Sequence, residues 1–159
     1  LDRVFHFHDR RVNEIMIPRT EVVWLEQDET VAEFYGTFGE SPHSRFPVYD
    51  ETVDNVVGIV SIKDVLKAVA EKRATETTPL AGLIRPATFI PETKLVSALF
   101  WQMQDERQQM AVVVDEYGGV AGVVTLELLL EEMVAHRGQC RCSSCRSVAS
   151  RRDTSKEAQ

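Results

Sequence analysis

The sequence carries one pattern twice, and this repetition constrains the fold more than any other feature. Residues 58–66 read GIVSIKDVL, and residues 122–130, which lie 64 positions further on, read GVVTLELLL. Each copy follows an apolar run that ends in aspartate, at 46–50 and at 111–115. Repetition at a fixed offset indicates two similar structural units. Units of about 55–60 residues are only marginally stable alone, so we expect the two to pack around one core.

Hydrophobic periodicity predicts the same order of elements in each copy: strand, helix, strand, strand, helix. The first helix of each copy has its apolar residues on one face, and runs rich in Val and Ile predict the strands. The predicted strands are 22–25, 46–49, 56–60, 87–90, 111–114 and 120–124, and the predicted helices are 30–38, 62–70, 93–103 and 126–134. Asp28 or Thr30 is expected to cap the first helix, and Thr93 the third.

These elements divide the chain into five segments. We expect an N-terminal linker or helix at 1–15, a first repeat at 16–72, a linker at 73–79 and a second repeat at 80–136. From 137 to 159 the periodicity stops and Ser and Arg dominate, which predicts a disordered tail. The chain starts at Leu1 without Met or the features of a signal peptide, as expected for a piece of a longer protein.

The net charge of −7 is unevenly distributed along the chain. The tail carries +4, so the first 136 residues carry −11. Binding to nucleic acid depends on clustered Lys and Arg, and the acidic body therefore argues against a nucleic-acid partner. No run of about 18 apolar residues is present, so we predict no membrane-spanning helix in this chain.

All three cysteines, Cys140, Cys142 and Cys145, lie in the tail close to His136. The body contains no cysteine and hence no disulfide framework, which is typical of a reducing compartment. Thiolates and imidazole suit zinc, but Cys-x-Cys is not the usual Cys-x₂-Cys spacing and no second half follows. We therefore predict no metal site.

Four segments occur in a distinctive order: MIPRTE at 16–21, HSRFPV at 43–48, DEYGGVAG at 115–122 and VTLE at 124–127. Together with the repeated Gly-x-x-Ser/Thr pattern they resemble the paired CBS (cystathionine-β-synthase) repeats, or Bateman module, of the CorC/HlyC/CNNM family. The resemblance covers about residues 10–135.

The resemblance implies an α/β fold of two tandem CBS repeats, each β-α-β-β-α, packed about a pseudo-twofold axis. It implies regulation and not catalysis, because such pairs bind an adenine nucleotide, AMP or ATP, with or without magnesium, in clefts between the repeats. It also implies a transmembrane domain in the same parent chain, a location at the cytoplasmic face of the cell membrane, and a role in magnesium and cobalt transport or resistance.

Ser61 and Asp64 form the centre of the nucleotide site that the resemblance implies. A helix start presents N–H groups and a positive dipole end that favour phosphate, and the Ser61 hydroxyl lies there. The Asp64 carboxylate, one turn on, is able to accept both ribose hydroxyls. Thr125 repeats the position of Ser61, but Leu128 stands where the second acid belongs. The alternative is that these hydroxyls only cap helices.

Arg45, Phe46 and Pro47 complete the predicted site. Arg45 precedes a strand and is placed to reach a phosphate, and its alternative role is to pair with a carboxylate of an acidic protein. Arg19 and Glu21 are either cleft residues or linker charges, of which we favour the second.

The last helix of each repeat is expected to expose an apolar face to a second copy of the chain. The residues concerned are Val65, Leu66 and Val69 in one repeat and Leu129, Leu130 and Met133 in the other. Packing of these faces would give a homodimer with an isologous interface.

No catalytic motif is present, neither Gly-x-Ser-x-Gly, nor a phosphate-binding loop, nor His-Glu-x-x-His, so we do not expect an enzyme. The function predicted is a regulatory nucleotide-binding pair. The alternative is a structural homodimerisation module with no functional nucleotide site.

Overall fold

The computed structural model describes residues 10–138, and the elements follow the predicted order in both copies. A short strand, β1 (Ile17–Pro18), lies at the start of the first repeat, before the five elements that the two repeats share. In the first repeat these are β2 (Leu25–Glu26), α1 (Val31–Glu40), β3 (Arg45–Asp50), β4 (Thr52–Ser61) and α2 (Ile62–Ala70). In the second repeat they are β5 (Thr88–Pro91), α3 (Val96–Asp105), β6 (Met110–Val114), β7 (Val120–Thr125) and α4 (Leu126–Gly138). The predicted α/β fold with two repeats is confirmed.

Each repeat has its own sheet. In the first, β2 pairs parallel with β3, which pairs antiparallel with β4. In the second, β5 pairs parallel with β6, which pairs antiparallel with β7. Each sheet is covered by its two helices and buries a separate apolar cluster, around Phe34 and Phe46 in one repeat and around Leu99 and Leu129 in the other. A third cluster, Val56 with Val112 and Val120, joins the repeats.

The lead-in segment of each repeat, which comes before the strand β2 or β5, pairs with the sheet of the other repeat. Strand β1, in the lead-in segment of the first repeat, pairs antiparallel with β7 of the second. Arg85, in the lead-in segment of the second repeat, exchanges two backbone hydrogen bonds of 2.9 Å with Ile59 in β4 of the first. The two repeats are therefore interlocked through backbone pairing and not only through side-chain contact.

The repeated glycine of the two motifs permits this exchange. A Cβ on Gly122 would lie 2.1 Å from the Ile17 carbonyl oxygen, and one on Gly58 would lie 2.2 Å from the Arg85 carbonyl oxygen. Such distances are far below van der Waals contact, so only glycine allows the lead-in segment to lie against the strand.

The two segments predicted as linkers are packed against the repeats. Residues 12–14 form a 3-10 turn, and Val12 and Ile15 are buried in the core of the second repeat. The segment before the second repeat satisfies the start of α1, because the N–H groups of Val31 and Ala32 donate to the carbonyls of Thr78 and Glu76. These contacts supply partners for N–H groups that have none within the helix.

The predictions of which side chains cap the helices were partly wrong. Thr30 caps α1 as predicted and forms a capping box with Glu33. Thr93 does not cap α3: this helix begins at Val96, Leu95 is its N-cap, and the Val96 N–H donates to the carbonyl of Arg10 at 2.9 Å. The N-terminal segment has therefore taken the role that we assigned to a threonine hydroxyl.

The prediction that the last helices expose Val65 and Leu129 is wrong, because both side chains are fully buried in the repeat cores. The large apolar side chains that are exposed among those described on these helices are Leu66, Val69, Leu130 and Val134. Met133 lies among the side chains that are not described. Helix α4 continues through Gly138, two residues into the predicted tail, and the three cysteines lie outside the described residues.

Candidate functional site

Two clefts lie between the repeats at corresponding places. The first cleft, of about 250 Å³, is lined by the start of α2, the lead-in segment of the second repeat and the loop before β6. The second cleft, of about 560 Å³, is lined by the start of α4, the segment after β1 and the loop before β3. Residues of the two walls correspond at the 64-residue offset: Ser61 with Thr125, and Arg107 with His43.

The first cleft holds both Ser61 and Asp64. Ser61 occupies the N-cap position of α2, yet its side chain makes no capping hydrogen bond. The Asp64 side chain is 21% exposed and accepts a hydrogen bond of 2.6 Å from Nη2 of Arg85. This hydrogen bond raises the pKa of the Arg85 guanidinium above its ordinary value. The hydroxyl and the carboxylate thus share one wall of the cleft.

Positive charge is concentrated in the first cleft. Its lining includes the four cationic side chains Arg45, Lys63, Arg85 and Arg107, against the single carboxylate of Asp64. Because the body of the protein is strongly acidic, this local excess of cations is favourable for an anionic ligand. Arg107 reaches the cleft from a left-handed backbone conformation at the end of α3 (φ 54°).

The second cleft has a different chemistry. Thr125 Oγ1 accepts a hydrogen bond of 3.3 Å from the Leu128 N–H, so this hydroxyl caps α4. Leu128 is half-buried and packs against the core of the second repeat. The lining is mainly apolar and contains two carboxylates, Glu21 and Glu127. Glu127, which is not among the predicted site residues, lies on the cleft wall.

The predicted site residues are divided between the two clefts. Ser61 and Asp64 line the first, whereas Phe46, Pro47 and Thr125 line the second. Arg45 lines both.

Arg45 is paired with a carboxylate, which was the alternative that we considered for it. Its Nη1 lies 3.7 Å from Oε1 of Glu127, so this ion pair connects the two repeats across the clefts. The Phe46 ring is fully buried and packs edge-on against Phe34 with centroids 5.5 Å apart.

Sequence reasoning missed three of the four cations of the first cleft, namely Lys63, Arg85 and Arg107. The 64-residue offset between the repeats could have pointed to two of these cations, because it relates Arg107 to His43 and Arg85 to Glu21, which both line the other cleft. Glu21, which we favoured as a linker charge, lines the second cleft.

Comparison with known proteins identifies the family to which the chain belongs. The family model of the CBS domain matches the sequence twice, at residues 12–71 and 82–135. The chain therefore belongs to the CBS domain family and is a pair of such domains.

Proteins of similar sequence indicate which kind of CBS-domain pair this chain is. The magnesium and cobalt efflux protein CorC of Vibrio cholerae is 40% identical over 134 residues, which are 84% of this chain and 45% of that protein. A UPF0053 protein of Mycobacterium tuberculosis is 41% identical over 135 residues, which are 84% of this chain and 31% of that protein. The chain thus spans less than half the length of these curated relatives.

Solved structures agree with the sequence relatives. The CBS domain of the bacterial CNNM/CorC family Mg²⁺ transporter in complex with ATP is 36% identical, with a TM-score of 0.78, covering 83% of this chain and 92% of that chain. A CBS-domain pair with bound AMP from Klebsiella pneumoniae is 28% identical, with a TM-score of 0.67, covering 78% and 98%. The pair is of the CNNM/CorC kind.

Residues 10–138 contain no helix that combines the length and the hydropathy needed to span a membrane. The same range contains no group of three or more His, Cys, Asp or Glu side chains that could hold a metal ion.

Proposed function

We propose that this chain is the cytosolic regulatory pair of a CorC-like membrane protein and binds an adenine nucleotide in the first cleft. The observation that carries the proposal is the placement of Ser61 and Asp64 on one wall among four cationic side chains. Their counterparts in the second cleft are a hydroxyl used as a helix cap and a leucine packed on the core. Similar CBS pairs with bound ATP and AMP support the ligand class.

Each group in the first cleft suits one part of a nucleotide. Asp64 is expected to accept the ribose hydroxyls. The Ser61 hydroxyl, the N–H groups at the start of α2 and the surrounding Arg and Lys side chains suit the phosphates, because charge-assisted hydrogen bonds to phosphate are the strong ones. Magnesium would enter with the phosphates, since Mg²⁺ is usually held by one or two carboxylates together with phosphate oxygens.

Regulation would follow from the composition of the cleft walls. Ser61 and Asp64 belong to the first repeat, whereas Arg107 and Met110 belong to the second. A ligand that contacts both repeats favours the arrangement in which both sets of contacts form, and it shifts the population by at most its difference in affinity for the two arrangements. A transmembrane domain of the parent chain, involved in magnesium or cobalt transport at the cytoplasmic face of the membrane, would respond to that shift.

Calorimetric titration with AMP, ADP and ATP, each with and without Mg²⁺, tests the proposal. Asp64→Ala is expected to weaken binding about tenfold or more, which is the scale of one charge-assisted hydrogen bond. Glu21→Ala is the matched control, because it removes a carboxylate that lines only the second cleft. Absence of binding to the wild type at millimolar nucleotide would refute the proposal, and loss of binding in Glu21→Ala alone would assign the ligand to the second cleft.

A second candidate function is a structural homodimerisation module whose clefts take no nucleotide. The exposed apolar side chains on α2 and α4, Leu66 and Val69 with Leu130 and Val134, favour association with a second copy. The two candidates share the homodimer and differ only in the ligand, so the same titration separates them.

A further inference from the structure

Arg85 combines a backbone held by hydrogen bonds with a side chain that is largely exposed to solvent. Its backbone N–H and carbonyl are both bonded to Ile59 at 2.9 Å, and its carbonyl lies against Gly58, where a Cβ would collide with it. The side chain, by contrast, is 71% exposed. Any change in the partner of the guanidinium must therefore come from rotation of the side chain about an anchored Cα.

The present partner of Arg85 is the carboxylate that the proposed function assigns to the ribose. Arg85 Nη2 donates to Asp64 Oδ1 at 2.6 Å. A ribose diol that binds through both hydroxyls needs both carboxylate oxygens, one for each hydroxyl. The cleft thus presents a carboxylate whose charge is neutralised by Arg85 and one of whose oxygens already accepts a hydrogen bond.

Arg85 can exchange Asp64 for another partner at a small cost in free energy. Arg85 forms its half of this ion pair from an exposed position, where water screens the charge and weakens the pair, so the Arg85–Asp64 contact is readily given up,. The planar guanidinium matches phosphate geometry and binds it through two parallel hydrogen bonds. A nucleotide can therefore compensate the loss of the ion pair with its own phosphate, whereas a nucleoside cannot.

We propose, on the basis of the function proposed above, that Arg85 changes partner when the first cleft fills, leaving Asp64 for the ribose and turning to the phosphate. Arg85 then acts as a specificity-determining residue. It disfavours nucleosides, which must displace it without replacement, and favours nucleotides, which bind it. The cleft would thereby respond to the phosphorylated ligand and ignore adenosine.

The test compares the affinities of adenosine and ATP for the wild type and for Arg85→Gln. NMR titration measures these affinities, because it detects binding in the millimolar range. Arg85→Gln is expected to weaken ATP about tenfold or more and to tighten adenosine about twofold to fivefold, the strength of an exposed ion pair. Lys63→Gln is the matched control, since it removes one positive charge from the same cleft and no ion pair involves Lys63 among residues 10–138. It should weaken ATP and leave adenosine unchanged.

A double-mutant cycle tests whether the effect of Arg85→Gln on adenosine binding depends on the carboxylate of Asp64. In an Asp64→Asn background the ion pair is gone, so a further Arg85→Gln change should no longer improve adenosine binding. If ATP binds the wild type but adenosine affinity in Arg85→Gln is unchanged, lower or absent, the exchange of partner is refuted while the nucleotide site stands. If ATP does not bind the wild type, the proposed function fails and this inference fails with it.

Discussion

The carboxylate of Asp54, in β4 of the first repeat, accepts a hydrogen bond of 3.0 Å from the backbone N–H of Val120, in β7 of the second. The same oxygen accepts a hydrogen bond of 2.9 Å from Arg19, which follows β1. One exposed aspartate therefore joins three parts of the fold: the hairpin of one repeat, the sheet of the other and the lead-in segment of the first repeat. This contact makes the packing of the repeats sensitive to pH.

Asp54→Asn is expected to lower the free energy of unfolding at pH 7 and to lower it less at pH 3. The Val120 N–H, assisted by Arg19, holds the pKa of Asp54 below its ordinary value. A carboxyl group whose pKa is lower in the folded state stabilises the protein at pH values above its pKa in the unfolded state, which is about 3.9. This stabilisation is lost as the pH falls through the pKa of the folded state. Urea unfolding of both proteins at the two pH values measures the effect. An equal difference at pH 7 and pH 3 would contradict it.

Gly122→Ala is expected to destabilise the fold by about 1–3 kcal/mol, the usual range for inserting a methyl group where no space exists. The added Cβ would lie 2.1 Å from the Ile17 carbonyl oxygen and would separate β1 from β7. Gly82→Ala is the control, because a Cβ there meets nothing within 4 Å. Thermal and urea unfolding of the two variants should differ clearly, and equal stability would show that β1 does not need the close approach.

Leu128→Asp is expected to lower the free energy of unfolding by about 1–3 kcal/mol, because it places a polar group where a half-buried leucine packs on the core,. Leu128→Met, which conserves volume, should cost less than about 1.5 kcal/mol. Denaturant unfolding measures both. Unchanged stability in Leu128→Asp, combined with new nucleotide binding in the second cleft, would show that this side chain faces the cleft and that the leucine had disabled it.

Thr30→Ala is expected to cost about 1 kcal/mol of stability, within the usual range for loss of a helix cap. Thr30 and Glu33 satisfy each other's backbone N–H groups at the start of α1. Thr93→Ala should have little effect, because Thr93 lies before the N-cap of α3 and its side chain does not cap that helix. Chemical denaturation compares the two. A larger loss in Thr93→Ala would restore the cap that the sequence led us to expect.

If the chain forms the homodimer that we propose, the double variant Leu66→Glu, Leu130→Glu is expected to convert it into a monomer. Both side chains are exposed apolar groups on the last helices, and like charges opposed across an isologous interface repel each other,. Light scattering at high protein concentration gives the mass. Tyr117→Glu serves as the control, since Tyr117 is 90% exposed in the turn between β6 and β7. A wild type that is monomeric at high concentration would refute the dimer.

The strand and helix predictions succeeded where the signal was local. Helix α2 occupies the predicted 62–70, and the antiparallel pair β6–β7 lies close to the predicted strands 111–114 and 120–124. Strand β2 was predicted at 22–25 but consists of Leu25 and Glu26, because its parallel partner β3 offers pairing only at Val48 and Tyr49. Residues that precede it are held in a turn by other contacts, such as the hydrogen bond from Trp24 Nε1 to the Arg19 carbonyl at 3.0 Å.

The sequence by itself determined the two repeats, the order of their elements and the residue types at the start of each last helix. These properties depend on hydrophobic periodicity and on a repeated motif, both of which are local along the chain. Only the tertiary structure decided that Asp64 pairs with Arg85, that Arg45 pairs with Glu127, and that the predicted site residues occupy two clefts with different charge. The physical reason is that an apolar face specifies burial without specifying its partner, so contacts between distant residues follow from how the repeats interlock.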